Sequence, residues 1–319
     1  MSKSLRTMLL TAIIFTLSAA RCLAQGGVTN STKNAQQVAT LHWYGANQTT
    51  AFSVGNFPTG IAYDGANLWV LSEGTNSVMK LRANDGGVLA TFTVGNYPDG
   101  ITYDGANVWV ANANDATVTK LRASDGAVLG TFNTGSLPSG MAFDGANIWV
   151  ANTGANSVGK LRASDGTVLG TFAVGQSQTH IAFDGANIWV TNTGASTVTK
   201  LSSNGTILGT FTVGSNPRGI AFDGASMWVV CSLTNNVYKL KSDGAVQGKF
   251  AVGTTPYGVS FDGGNIWVVN FANSTVTKLA SANGAVLGTF NVGGGPEEIV
   301  FDGTSIWVVN VNDSTVSKL

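Results

Sequence analysis

From about residue 49 to the carboxy terminus, hydrophobic residues fall in short bursts that alternate with polar ones. Each burst stops at an Asp-Gly or Asn-rich turn. Alternation with a period of two over four to eight residues marks strands, and no stretch carries apolar residues at helical spacing. The bursts recur as one phrase, roughly P-x-G-I-x-F-D-G-x-x-I-W-V-x-N, a turn, T-V-T-K-L, a second turn, then V-L-G-T-F-x-V-G. Its tryptophan stands at Trp69, Trp109, Trp149, Trp189, Trp228, Trp267 and Trp307, 39 or 40 residues apart. In the second unit the four predicted strands are Ile101–Tyr103, Val108–Ala111, Thr117–Leu121 and Val128–Thr134. Four short strands per unit of about 40 residues is the signature of a propeller blade. The expected fold is therefore all-β, a seven-bladed β-propeller of four-stranded blades. The last unit stops after three strands, at "STVSKL", and the missing fourth strand stands before the first blade in "TTAFSVG" at 49–55. Pairing the two would close the ring and remove two exposed sheet edges. The segment "VATLHWYGANQTTAFSVG" from Val38 also aligns with a whole third-to-fourth-strand hairpin, so its first half duplicates a strand already present.

The first 24 residues break the pattern. Lys3 and Arg6 precede the apolar run Met8–Leu17, and Cys22-Leu23-Ala24 forms a small-x-small site before Gln25. This reads as a signal peptide cleaved near Ala24, too short to span a bilayer. Arg21 argues against lipid attachment at Cys22. The expected organisation is a signal peptide over 1–24, a leader over 25–48 and the propeller over 49–319, secreted or periplasmic, monomeric, with no transmembrane segment after cleavage. Losing Cys22 leaves Cys231 alone, so no intrachain disulfide is available. Of the 17 Lys and Arg, three leave with the signal; 14 basic then face 17 acidic side chains, a balance that offers nothing to nucleic acid.

The strings "WVAN", "WVTN" and "WVVN" followed by "TVTKL" resemble the YVTN-type repeats of bacterial and archaeal surface proteins. Those are similar to the wider NHL and virginiamycin B lyase propellers. The resemblance covers 49–319 and implies the fold; members of that fold serve as binding platforms, scaffolds and occasionally enzymes. The lyase members use a histidine base near a bound metal. This propeller offers one histidine, His180, because His42 lies in the leader.

Seven copies permit an internal comparison. On one face the loops are nearly constant, "DGAN" or a close variant. On the other they diverge, from "SEGTNS" to "NVNDST" after the tryptophan strand. Every blade bears the same structural demand, so divergence on one face marks loops available for function. The recurrent Trp, Asp-Gly and Asn residues are expected to pack blades and make turns. The recurrent Lys of T-V-T-K-L is expected to snorkel at the rim. Six acids lie outside the repeated turns: Glu73, Asp99, Asp115, Glu297, Glu298 and Asp313. All belong to blades 7, 1 and 2, neighbours in a closed ring, whereas Arg218 and His180 belong to blades 5 and 4. Such an acidic sector would attract a divalent cation, Ca²⁺ or Mg²⁺, or a ligand bearing ammonium or guanidinium groups. No known calcium spacing is present.

The residues just before the innermost strand are Gly60, Gly100, Gly140, His180, Gly219, Gly258 and Glu298. They should ring the mouth of the central channel, with an imidazole and a carboxylate nearly opposite one another. That chemistry suits an acid/base pair or the grip on a polar ligand, and His180 and Glu298 are the candidate catalytic residues. The candidate ligand-binding set is Glu73, Asp99, Asp115, His180, Arg218, Tyr257, Glu297, Glu298 and Asp313. Phe57, Tyr97 and Phe271 add aromatic surface that could stack on a sugar or pack within the loops. Three functions stay open: a non-catalytic platform for a protein, glycan or cation; a metal-assisted lyase or lactonase at the channel mouth; and a structural envelope protein. An enzyme predicts polar side chains converging within hydrogen-bond reach at the mouth, and a platform predicts a broad shallow surface.

Overall fold

A computed structural model describes residues 51–319; the expected signal peptide and leader lie outside the described residues. The described residues form twenty-eight strands in seven four-stranded antiparallel sheets, a seven-bladed β-propeller. Six sheets take their strands in sequence order. The seventh orders Ala51–Ser53, Thr315–Lys318, Ile306–Asn310 and Pro296–Phe301, with Phe52 opposite Val316. Among the described residues no helix is long and apolar enough to cross a membrane.

The template explains the scaffold. In each blade the second strand carries Trp and alternating Val or Ile, nearly all fully buried, and its neighbours pack them from the adjoining sheet. Each Trp lies against the Phe of the outermost strand, as in Trp149–Phe172 at 5.6 Å. The Asp-Gly turn does two jobs. Asp104 Oδ1 accepts from the backbone N–H of Ala106 and Asn107, while Oδ2 accepts from Trp109 Nε1 at 2.7 Å. Gly105 then takes φ +96°, a conformation costly for any residue with a Cβ. Burial pushes the Asp104 carboxyl up, but these donors outweigh it and hold it below the usual range.

The repeated lysine does more than snorkel. Lys120 Nζ lies 5.0 Å from the centre of the Trp109 ring and donates to the Ala163 carbonyl in the third-strand turn of the next blade. The same latch runs round the ring and reaches from Lys318 back to Ala83 and Asn84 of blade 1. Lys278 is the exception among the described residues, and the reason is topological. Blade 7 takes its fourth strand from Ala51–Ser53, so it has no third-to-fourth-strand turn for Lys278 to reach. Trp267, beneath it, is correspondingly 8% exposed where the other six tryptophans are fully buried.

The innermost strands begin earlier than the alternation predicts. In blades 2 to 7 they start at the proline position, as Pro98–Tyr103, and their pairing slips by a bulge just after it. The bulge carries the two residues after the proline onto the channel wall.

Candidate functional site

Two rings of residues, adjacent in the template, line the channel mouth on the variable face. The outer ring, one residue after the proline position, is Thr59, Asp99, Ser139, Thr179, Arg218, Tyr257 and Glu297. The inner ring, one residue further, is Gly60, Gly100, Gly140, His180, Gly219, Gly258 and Glu298. Glycine in the inner ring reflects crowding. A Cβ on Gly100 would stand 1.9 Å from the Ser139 carbonyl oxygen of the next blade, and one on Gly219 would stand 2.5 Å from that of Tyr257. The hydroxyls of the outer ring tie blades together: Thr59 Oγ1 donates to the Pro98 carbonyl, and Ser139 Oγ donates to the Thr179 carbonyl at 3.3 Å. What the rings do not spend on the scaffold is Asp99, Arg218, Tyr257, Glu297, His180 and Glu298.

Five of these six side chains line a single cavity of about 610 Å³ together with Tyr97, Asn114 and Leu137, and Tyr257 stands behind Arg218. His180 and Glu298 meet across the mouth, Nε2 to Oε1 at 2.7 Å, each about one-quarter exposed. The expected opposition of imidazole and carboxylate thus becomes direct contact. His180 Nδ1 is buried without a hydrogen-bond partner among the described residues. Blade 4 accommodates the histidine through a second change. Thr191, where other blades place Leu, Ala or Val, is fully buried, and its Oγ1 accepts from the His180 backbone N–H at 3.1 Å. Thr179 Oγ1 joins the same group, 3.2 Å from Thr191 Oγ1 and 3.0 Å from Thr193 Oγ1. Gln178, in the proline's place, is buried and folds back so that its amide donates to the Gly175 carbonyl.

Electrostatics separate the acids. Asp99 is ringed by protein except where it opens to the cavity, and burial, with Glu298 and Glu73 nearby, pushes its carboxyl up to about 6 against the pull of His180 and Arg218. Glu297 goes further, to about 8, through burial first and then repulsion from Glu298 and Asp99, with Arg218 opposing. At neutral pH Glu297 is therefore mostly protonated. Glu73 stands behind this group, raised by burial while a hydrogen bond from the Tyr97 hydroxyl opposes the rise. Arg218 lays its guanidinium on the Tyr257 ring, Cζ 4.1 Å from the centroid, and Tyr257 stacks in turn on Phe271 at 5.2 Å. The Arg218 Nε is buried and unpartnered among the described residues.

Two predicted site residues are elsewhere. Asp115 accepts from the Asn96 backbone N–H and side-chain amide, and Asp313 from the Gly294 N–H. Asn273 fills the same slot in blade 6 by accepting from Thr254 N–H, so this position caps the blade-to-blade loop. Of the aromatics, Tyr257 and Phe271 pack together, whereas Phe57 and Tyr97 stay 59% and 43% exposed. Phe57, Tyr97 and Leu137 occupy the same loop position in blades 1 to 3, all with positive φ, where blades 4 to 7 carry Ser177, Asn216, Thr255 and Gly295. The variable face therefore has an apolar arc beside its acidic one. Comparing the whole column after the proline would have found the outer ring; the Thr191 partnership had no signal except its departure from Leu, Ala or Val.

No protein-family model and no curated protein matches this chain. Solved structures do. A virginiamycin B lyase from Staphylococcus aureus superposes with a TM-score of 0.74 at 18% identity, covering 84% of this chain and 97% of its own. The hydrazine synthase of Kuenenia stuttgartiensis gives 0.74 at 18% identity over 86% and 98% of the two chains, and a streptogramin B lyase gives 0.73 at 18% over 84% and 95%. At such identity the likeness is one of fold. The propeller expected from the repeats is shared with these proteins, and their names attach no chemistry to the mouth of this one.

The donor set does not fit the bound metal that the lyase resemblance implies. Among the described residues no three His, Cys, Asp or Glu side chains are grouped to hold an ion. His180, the single histidine there, directs Nε2 at Glu298.

Proposed function

We propose that the protein is an exported propeller that binds a small ligand through a cationic nitrogen in the channel mouth, without transforming it. One observation carries this reading: Asp99 and Glu297 open into one cavity with no basic partner within ion-pair distance among the described residues. Burial and the neighbouring carboxylates disfavour ionisation of both groups more than Arg218 favours it, and an arriving ammonium or guanidinium group relieves both. The cavity volume suits a small molecule better than a protein epitope. Export rests on the amino-terminal signal and is checked by the mass of the mature chain, expected to begin at Gln25.

The binding test is calorimetry with leucinamide, a primary ammonium on an apolar skeleton with no carboxylate. Asp99→Asn and Glu297→Gln, alone and together, should weaken it by about tenfold or more, in line with loss of a charge-assisted contact. Equal affinity in wild type and the double variant would end the proposal.

A lyase or lactonase reading draws on one specific feature, the His180–Glu298 pair across the mouth. Polar convergence at the mouth was the mark expected of an enzyme, and this pair meets it at a single contact. Turnover of a lactone or cyclic ester panel, abolished by His180→Gly, would favour that reading over binding alone.

A further inference from the structure

The cavity holds a cation as well as acids, and the cation is free. His180 and Glu298 satisfy each other at 2.7 Å. Removing that pair from the inventory leaves Asp99 and Glu297 on blades 2 and 7 facing Arg218 on blade 5. Arg218 forms no ion pair among the described residues. Its guanidinium stands over the Tyr257 ring, Cζ 4.1 Å from the centroid, a cation–π contact that spends none of its hydrogen-bond donors. Two obstacles keep it from the acids. Asp99 stands three blades away, and Tyr257 of blade 6 stands between Arg218 and Glu297 in the outer ring.

A plain cation would gain from the acids but meet Arg218 in a partly dehydrated cavity, where like charges repel far more than in water. A plain anion would meet the converse. Only a molecule with both charges finds a complement for each. The remaining wall has its own chemistry: Tyr97 and Leu137 line the cavity and are 43% and 46% exposed, an apolar surface without a cover.

Resting on the cation-binding reading above, we infer that the ligand is a small zwitterion, an ammonium and a carboxylate on one apolar skeleton of amino-acid to dipeptide size. Its carboxylate lies in the donor fork of Arg218, its ammonium lies between Asp99 and Glu297, and its side chain rests on Tyr97 and Leu137. An arginine fork held over an aromatic ring is suited to two-point capture of a carboxylate.

The test is calorimetry on the purified protein at pH 7 with leucine, leucyl-leucine, leucinamide and N-acetylleucine. The tighter of the two zwitterions should exceed both single-charge analogues by about tenfold or more. Whether leucine or its dipeptide leads reports the span between Arg218 and the acids. Arg218→Met should erase the advantage over leucinamide and leave leucinamide itself within about twofold or tighter. Arg218→Lys, which keeps the charge and loses the fork, should retain part of that advantage and guards against a folding artefact in the Met variant. If leucinamide binds as tightly as both zwitterions, and Arg218→Met changes nothing, the zwitterion inference fails while the cation reading stands. If N-acetylleucine binds tightest, or none of the four binds at about 20 mM, both fail.

Discussion

Replacing Glu297 by Gln should make the protein more stable at neutral pH, and by an amount that depends on pH. The side chain is part-buried at the mouth with Glu298, Asp99 and Glu73 around it and Arg218 as the opposing charge, and its carboxyl is pushed up to about 8 from an ordinary 4.5. A carboxyl whose folded pKa lies above its unfolded one binds protons more tightly when folded. Its stabilising contribution is complete below pH 4.5 and is lost as pH rises towards 8. At 1.36 kcal/mol per pH unit, the window from 4.5 to 7 corresponds to about 3 kcal/mol. The Gln variant keeps the neutral form's shape and cannot ionise. Relative to wild type it should therefore gain almost nothing at pH 4.5 and about 3 kcal/mol at pH 7. For a chain of this size that is roughly 6–10 °C in Tm. The assay is a series of thermal melts of both proteins from pH 4.5 to 8.5 at fixed ionic strength. Parallel pH profiles, or a variant less stable than wild type at pH 7, would refute both the burial of Glu297 and the electrostatics of the mouth.

Other perturbations separate scaffold from site. Trp149→Ala should cost about 3–5 kcal/mol, the range for a buried aromatic truncated without collapse, measured by denaturant unfolding. His180→Gly, by contrast, removes one part-exposed pair and restores the residue of five other blades, so stability should change by less than about 1 kcal/mol. Gly100→Ala, which drives a Cβ onto the Ser139 carbonyl oxygen, should cost about 1–3 kcal/mol although it adds one methyl group. Deleting residues 25–55 should lower Tm far more than deleting 25–37. The longer deletion removes the strand Ala51–Ser53 and takes Phe52 from Trp307, its ring neighbour at 5.5 Å; equal melts would contradict that role.

Seven copies made the architecture legible because symmetry converts residue number into angle. The tryptophan interval supplied the blade count, and the missing last strand pointed to residues 49–55. The same conversion put His180 opposite Glu298. It could not tell that both side chains are long enough to meet, which depends on the width of a channel narrowed by five glycines. The lysine latch escaped for a related reason. Lys120 alternates like a rim residue, and only the proximity of the neighbouring turn shows that its amine is buried against a carbonyl. Asp115 and Asp313 looked equivalent to Asp99 because all are loop acids in adjacent blades. Their carboxylates are bound by backbone N–H groups, and composition carries no trace of that. The bulge after the proline escaped as well, since a proline reads as a strand boundary while here it begins the strand.

The proposed cation-binding centre of Asp99 and Glu297 in the channel mouth is probed by titrating leucinamide into the protein at pH 7 in two buffers of different ionisation enthalpy. An ammonium arriving beside the mostly protonated Glu297 should expel its proton, so the heats should differ between buffers by the equivalent of about half to one proton released, and Glu297→Gln should abolish the difference. Binding with identical heats in both buffers, or a difference that survives Glu297→Gln, would contradict the account.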